Sequence, residues 1–181
     1  MEKFEFEDEI YYADKGCFYD SSFIEVPFID RENIASAYYK EKAQYAKTAD
    51  DYIQLTRDMK NAGCNKLSID YCLKFLEIAE SDLNFNRGIS IILSILSSNY
   101  RKINEPKKAI DLINKYNRND WNSTFLTSVA AAYCDIGDYG KAKKFADTAY
   151  AMQGGGVNYK NELSLVYKRI QKETGEKPFE S

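Results

Sequence analysis

The chain has 181 residues, 44% of them apolar and 29% charged, the balance of one folded domain or of roughly three to five stacked helical hairpins. Its net charge of −3 and pI near 5.2 argue against nucleic acid as a partner, and the absence of histidine excludes triads, general bases and zinc centres built on that side chain. No run approaches the ~20 apolar residues of a membrane span, and the acidic start Met1-Glu2-Lys3-Phe4-Glu5 lacks the basic-then-apolar order of a signal peptide, so the expected compartment is the cytoplasm.

Residues 1–30 form an acidic, aromatic-rich arm. Nine carboxylates (Glu2, Glu5, Glu7, Asp8, Glu9, Asp14, Asp20, Glu25 and Asp30) face only Lys3 and Lys15, a net of −7 that leaves +4 on residues 31–181. Eight aromatic residues from Phe4 to Phe28 set the arm apart from a disordered acidic tail. Phe4 and Phe6 around Glu5, and Ile24, Val26 and Phe28 around Glu25 and Pro27, alternate as strands do. Ala13-Asp14-Lys15-Gly16 reads as a type I turn joining Tyr11-Tyr12 to Cys17-Phe18-Tyr19. A hairpin this short needs a support to lie on. The carboxylate spacing fits no EF-hand and no paired-acid geometry, and alternation turns Glu5, Glu7 and Glu25 to solvent.

From Arg31 the apolar period becomes helical. A first helix is expected to end near Lys47, and a second, capped by Thr48 or Asp50, to stop at Gly63. A third carries Leu67, Tyr71, Cys72, Phe75, Leu76 and Ala79, and a fourth, after Asn86, carries Ile89, Ile92, Leu93, Leu96 and Tyr100. Asn104-Glu105-Pro106 opens a fifth with proline in its first turn. Asn122 caps a sixth, with Trp121 stapling the loop before it, and Gly137-Asp138 breaks the chain and recaps a seventh. Gly154-Gly155-Gly156 stops that helix and, followed by Val157-Asn158, is no phosphate loop. An eighth helix runs from about Asn158 to Thr174. The expected organisation is the arm 1–30, a helical domain 31–175 and a tail 176–181. Cys17, Cys64, Cys72 and Cys134 match no redox or zinc spacing and read as four buried, reduced thiols.

The helices repeat. Tyr100, Tyr133 and Tyr167 are 33 and 34 residues apart, and Ala109 and Ala142 each follow a tyrosine by nine. Residues 123–153, with Leu126, Val129, Ala130, Tyr133, Gly137, Tyr139, Ala142, Ala146 and Ala149, resemble the tetratricopeptide repeat. Residues 90–118 resemble it with Asn104 in place of the usual glycine, and 49–82 fit once about four residues are allowed around the turn. The resemblance covers residues 90–170 and implies an α–α superhelix, a solenoid of antiparallel helical hairpins. The class expected is therefore mainly all-α, with a short N-terminal β-hairpin or extended arm. The small residues let paired helices approach closely, and stacking creates the core.

In such repeats the first helix of each hairpin lines a concave groove. The resemblance thus places Arg57, Lys60, Arg101, Lys102, Lys168 and Arg169 toward a mildly basic groove, with Asn158 and Asn161 near its end. The third hairpin departs, offering Thr127, Ser128, Ala131, Cys134 and Asp135. Ile53, Ser94 and Thr127 stand where some members carry a carboxylate clamp, so no clamp is expected. No catalytic residue, metal ligand or cofactor is indicated. The expected role is a non-enzymatic adaptor or scaffold binding another protein or peptide segment, acidic in character, as a monomer or homodimer. The arm itself is an acidic, aromatic segment, able in principle to cover the groove in cis or reach a second copy in trans. The eighth helix, with Leu163, Val166, Tyr167 and Ile170 on one side, reads as the cap of the stack. The competing expectation is a stoichiometric inhibitor or immunity-type protein that blocks a partner enzyme.

Overall fold

The structure, a computed structural model, describes residues 1–116, 121–153 and 162–176. The chain is mainly helical with a small three-stranded antiparallel sheet. It divides into two compact units, Met1–Ile92 and Leu93–Ser181. No helix among the described residues is long and apolar enough to cross a membrane.

The first unit opens with β1 (Glu2–Phe6), β2 (Glu9–Asp14) and β3 (Cys17–Tyr19), paired in that order. Both connections are two residues long, Glu7-Asp8 and Lys15-Gly16, and all four residues have positive φ, between 49° and 84°. Such mirror-image turns match the right-handed twist of the strands they join. The Lys15-Gly16 turn thus differs from the expected type I turn, in which only the glycine would be left-handed. The Glu7-Asp8 turn carries neither glycine nor asparagine, and it adds a third strand to the expected hairpin. Ile24 to Phe28 is not a strand: only Glu25 bridges Tyr19, while Val26 N donates to Phe18 O at 2.7 Å.

The sheet lies on α1 (Arg31–Ala43). Phe18 is fully buried, edge-on to Phe4 at 5.9 Å, to Tyr38 at 5.6 Å and to Tyr39 at 6.0 Å. Phe4, Ala13, Phe18 and Val26 share one apolar cluster with Ile34, Tyr39, Met59 and Cys64, so the arm's inward side chains belong to the core of the first unit. The change of composition near residue 30 therefore falls inside this unit. Arg31 ties the joint: its guanidinium donates to Val26 O at 3.0 Å and to Glu25 at 2.8 Å. Glu2 accepts from both Tyr38 and Lys42. The Lys42 contact, followed by that of Tyr38, holds the Glu2 carboxyl below its ordinary range.

The next helix, α2 (Ala49–Asn61), starts at a capping box, with Thr48 and Asp51 exchanging side-chain and backbone hydrogen bonds. It packs on α3 (Asn65–Ser81), which is followed by a 3-10 helix, Leu83–Gly88. That 3-10 turn occupies the place where Asn86 was expected to lead directly into a helix, and α1 ends four residues before Lys47. Next, α4 (Ile89–Lys102) begins at the end of the first unit and continues into the second.

The second unit adds α5 (Pro106–Lys115), α6 (Ser123–Asp135), α7 (Tyr139–Met152) and α8 (Glu162–Thr174). The core helix is α6, packed against α5, α7 and α8, with Phe125 to Ala132 all buried. Ala130, Ala142, Ala146 and Ala149 are fully buried, which lets helix backbones approach closely. Asn122 caps α6 through Phe125 N at 2.8 Å and accepts the Ser94 hydroxyl at 3.0 Å, while the Trp121 ring packs tilted against Phe125 with centroids 4.8 Å apart.

One turn recurs. After α2, α4 and α6, the residues Gly63, Asn104 and Gly137 adopt φ of 89°, 62° and 80°. In each case the following N–H returns to a carbonyl five residues back: Cys64 to Met59, Glu105 to Tyr100, Asp138 to Tyr133. Each is a left-handed helix stop, and Asn104 serves because asparagine tolerates that conformation better than other side-chain-bearing residues. Asp138 then caps α7 through Lys141 N.

All four cysteines are free, with Cys64, Cys72 and Cys134 buried, but Cys17 at the start of β3 is only half-buried, unlike the expectation of four buried thiols. Burial pushes the Cys72 thiol up to about 12. Gly154-Gly155-Gly156 and the start of the expected eighth helix lie outside the described residues.

Candidate partner-binding cleft

Arg101, Asp135 and Arg169 are each 34 residues apart in the chain. They stand near the end of α4, at the end of α6 and on α8. A common period places them side by side, and they meet as an ion-paired row. Arg101 Nε donates to Asp135 Oδ2 at 2.8 Å, and an Arg169 guanidinium nitrogen donates to Asp135 Oδ1 at 2.8 Å. Arg101 also reaches Glu162 Oε1, at the start of α8, at 2.6 Å.

The Arg101 side chain is only 18% exposed. Burial alone would lower the pKa of its guanidinium, but the Asp135 and Glu162 carboxylates more than offset this and raise it. Two carboxylates held by a largely buried arginine resist displacement, because removing either leaves the charge poorly solvated.

These residues line an open cleft of about 490 Å³, together with Ser98, Lys102, Asn104 and Pro106. The left-handed turn at Asn104 brings the last turn of α4 and Pro106 at the first turn of α5 to its rim. A volume of this size accommodates a few residues of extended chain rather than a folded surface. Its charges are three cations and two carboxylates, a slight positive excess carried by exposed Lys102.

Of the residues expected in a groove, the structure brings Arg101, Lys102 and Arg169 together in this cleft. Lys168 is exposed on α8, outside the lining. Arg57 is exposed and Lys60 half-buried on α2, in the first unit. Asn158 and Asn161 lie outside the described residues. Thr127, Ser128, Ala131 and Cys134 are buried, as are Ile53 and Ser94, so they are core residues first. Of the third-hairpin set, Asp135 alone lines this cleft. Sequence reasoning had placed it there but had missed its role as the anion between two arginines, for which the 34-residue spacing was the available signal. Glu162, Ser98 and the rim residues Asn104 and Pro106 were not anticipated.

No group of three or more acidic or cysteine side chains able to hold a metal ion occurs among the described residues. No protein-family model matches the chain, and no curated protein matches it.

Proposed function

We propose that this chain is a non-enzymatic interaction module of tetratricopeptide-like hairpins that holds a polypeptide segment in the cleft formed by α4, α6 and α8. The observation that carries this reading is the 34-residue ladder of Arg101, Asp135 and Arg169 on successive first helices. The recurring left-handed stops and the packing of α6 on both α7 and α8 support the repeat reading. The bound segment is acidic: its carboxylates meet Lys102 first and then share Arg169 with Asp135. Rim charges of this kind set the on-rate and the salt dependence more than the final affinity.

Panning a random-peptide display library against the full chain tests the reading. Enriched peptides should be rich in Asp and Glu, weaken as salt rises, and lose about tenfold in affinity on the Lys102→Ala, Arg169→Ala double variant, equivalent to ~1.4 kcal/mol. Peptides that bind both proteins equally, or a panning round that enriches nothing, would sink it. A second reading, a stoichiometric inhibitor of a partner enzyme, is favoured by one specific feature, the acidic segment between β3 and α1, exposed at residues 21–25 and 27–30.

A further inference from the structure

Four large apolar side chains in the loop between β3 and α1 face solvent: Phe23, Ile24, Phe28 and Ile29 are 56%, 65%, 62% and 88% exposed. Scattered apolar residues on a surface are ordinary, but four within seven residues of one loop are a local concentration of exposed apolar surface, and such concentrations mark contact sites. The loop is ordered by its own hydrogen bonds. The Asp20 carboxylate accepts from Ser22 N at 2.8 Å and Ile24 N at 3.0 Å. Phe23, held at a φ of 59°, stacks on Tyr12 at 4.6 Å. Phe28 lies against Gly63, where an added Cβ would sit 2.7 Å from its ring. An apolar loop held in place loses little entropy when it is covered.

Charge selects what covers it. Within residues 20–32 the carboxylates are Asp20, Glu25, Asp30 and Glu32, and the only cation is Arg31. The Arg31 side chain is turned inward, nearly buried, and bound to Glu25 and to backbone carbonyls. The sheet beside the loop adds Glu5, Glu7, Asp8, Glu9 and Asp14, all exposed. Lys3 and Lys15 are also exposed on that sheet, so nine carboxylates, one of them paired with Arg31, stand against two outward cations and the rim is net anionic. A second copy meeting this face through a two-fold axis would set carboxylates against carboxylates. Anionic lipid headgroups are repelled in the same way.

We infer that the 20–32 loop is a docking surface for a cationic, amphipathic segment of a partner protein, whose apolar stripe covers Ile24 and Ile29 while its Lys or Arg residues meet the surrounding carboxylates. This loop shares no residue with the α4–α6–α8 cleft, prefers the opposite charge, and does not depend on that cleft binding anything.

The test uses the full chain and a fluorescein-labelled Leu/Lys amphipathic peptide of about 18 residues, roughly five helical turns. Anisotropy should show saturable binding that weakens as salt rises. The Ile24→Ser, Ile29→Ser double variant keeps every charge and leaves Phe28 over Gly63. It should bind about tenfold more weakly, with an unchanged circular-dichroism melt. Equal binding by the double variant would reduce the effect to charge alone and overturn the inference, as would no saturable binding. Two further results would also overturn it, by assigning the patch another occupant. One is stronger binding of the wild type to neutral phosphatidylcholine vesicles than to the peptide. The other is concentration-dependent self-association, seen by sedimentation, that the double variant loses.

Discussion

The two units solve the same packing problem with opposite side chains. In the first, large rings fill the space between elements: Phe18 plugs sheet to helix, and Tyr52, Phe75 and Phe85 meet in a second aromatic group with centroids 5.1 to 6.2 Å apart. In the second, Ala130, Ala142, Ala146 and Ala149 remove side-chain volume so that helix approaches helix. A ring can fill an irregular gap, so the first unit accommodates a sheet, a 3-10 turn and loops of unequal length. Close helix contact demands small residues at fixed offsets, so the second unit carries its geometry as a visible period.

The sharpest way to break this contrast is to remove a plug. Phe18→Ala should cost about 3–5 kcal/mol, because no neighbour can collapse fully into the space of a fully buried ring. The reciprocal change, Ala146→Leu, overfills a contact with no room and should cost about 1–3 kcal/mol. Guanidinium denaturation measures both, and the single tryptophan, Trp121, reports from the second unit. If the alanine substitution proves the milder at Phe18 and the leucine the harsher at Ala146, the assignment of plug and close contact is reversed.

The helix stops refine the comparison at smaller cost. Gly137→Ala meets nothing within 4 Å, so its penalty is backbone strain alone, about 1–2 kcal/mol. Gly63→Ala has the same strain and also displaces the Phe28 ring. It should therefore be the more destabilising of the two and should also weaken the Leu/Lys peptide, an effect Gly137→Ala lacks. Equal melts and equal peptide binding would show that Phe28 is not seated on Gly63.

Acid separates the units least. Asp51 and Asp138 each accept backbone hydrogen bonds at a helix start, from Thr48 and Lys141 respectively, and these lower both pKa values. Since the folded value lies below the unfolded one, the stabilisation is complete above the ordinary value of 3.8 and is lost as the pH falls through the depressed folded value. Asp138→Asn keeps a capping side chain and removes the titration, so its stability should fall less steeply than wild type over that range. Parallel acid curves for the two proteins would remove Asp138 from the account.

The helices and most of their ends were legible because each rests on local chemistry. Thr48, Gly63, Pro106, Asn122 and Gly137-Asp138 all act as the sequence indicates. The hairpin at Glu7-Asp8 was illegible because two acidic residues occupy a left-handed turn that glycine and asparagine normally mark. Here the pairing of β1 with β2, above a buried Phe18, decides the turn. The cleft was half legible. The tetratricopeptide resemblance pointed to its cations, but whether those cations are free or paired depends on which side chains meet across helices, which no local pattern around Arg101, Asp135 or Arg169 marks. Glu162 was likewise unmarked.

That alternating row also constrains how the chain could have changed in length. Excising residues 102–135, one whole period, would bring Arg169 into the place of Asp135 and set guanidinium against guanidinium beside Arg101. Inserting a copy of one period would likewise duplicate a sign. Only paired additions keep the alternation, so the row imposes a parity on the number of 34-residue intervals. Growth or loss by single 34-residue segments is closed to this row unless a charge is reversed at the same step.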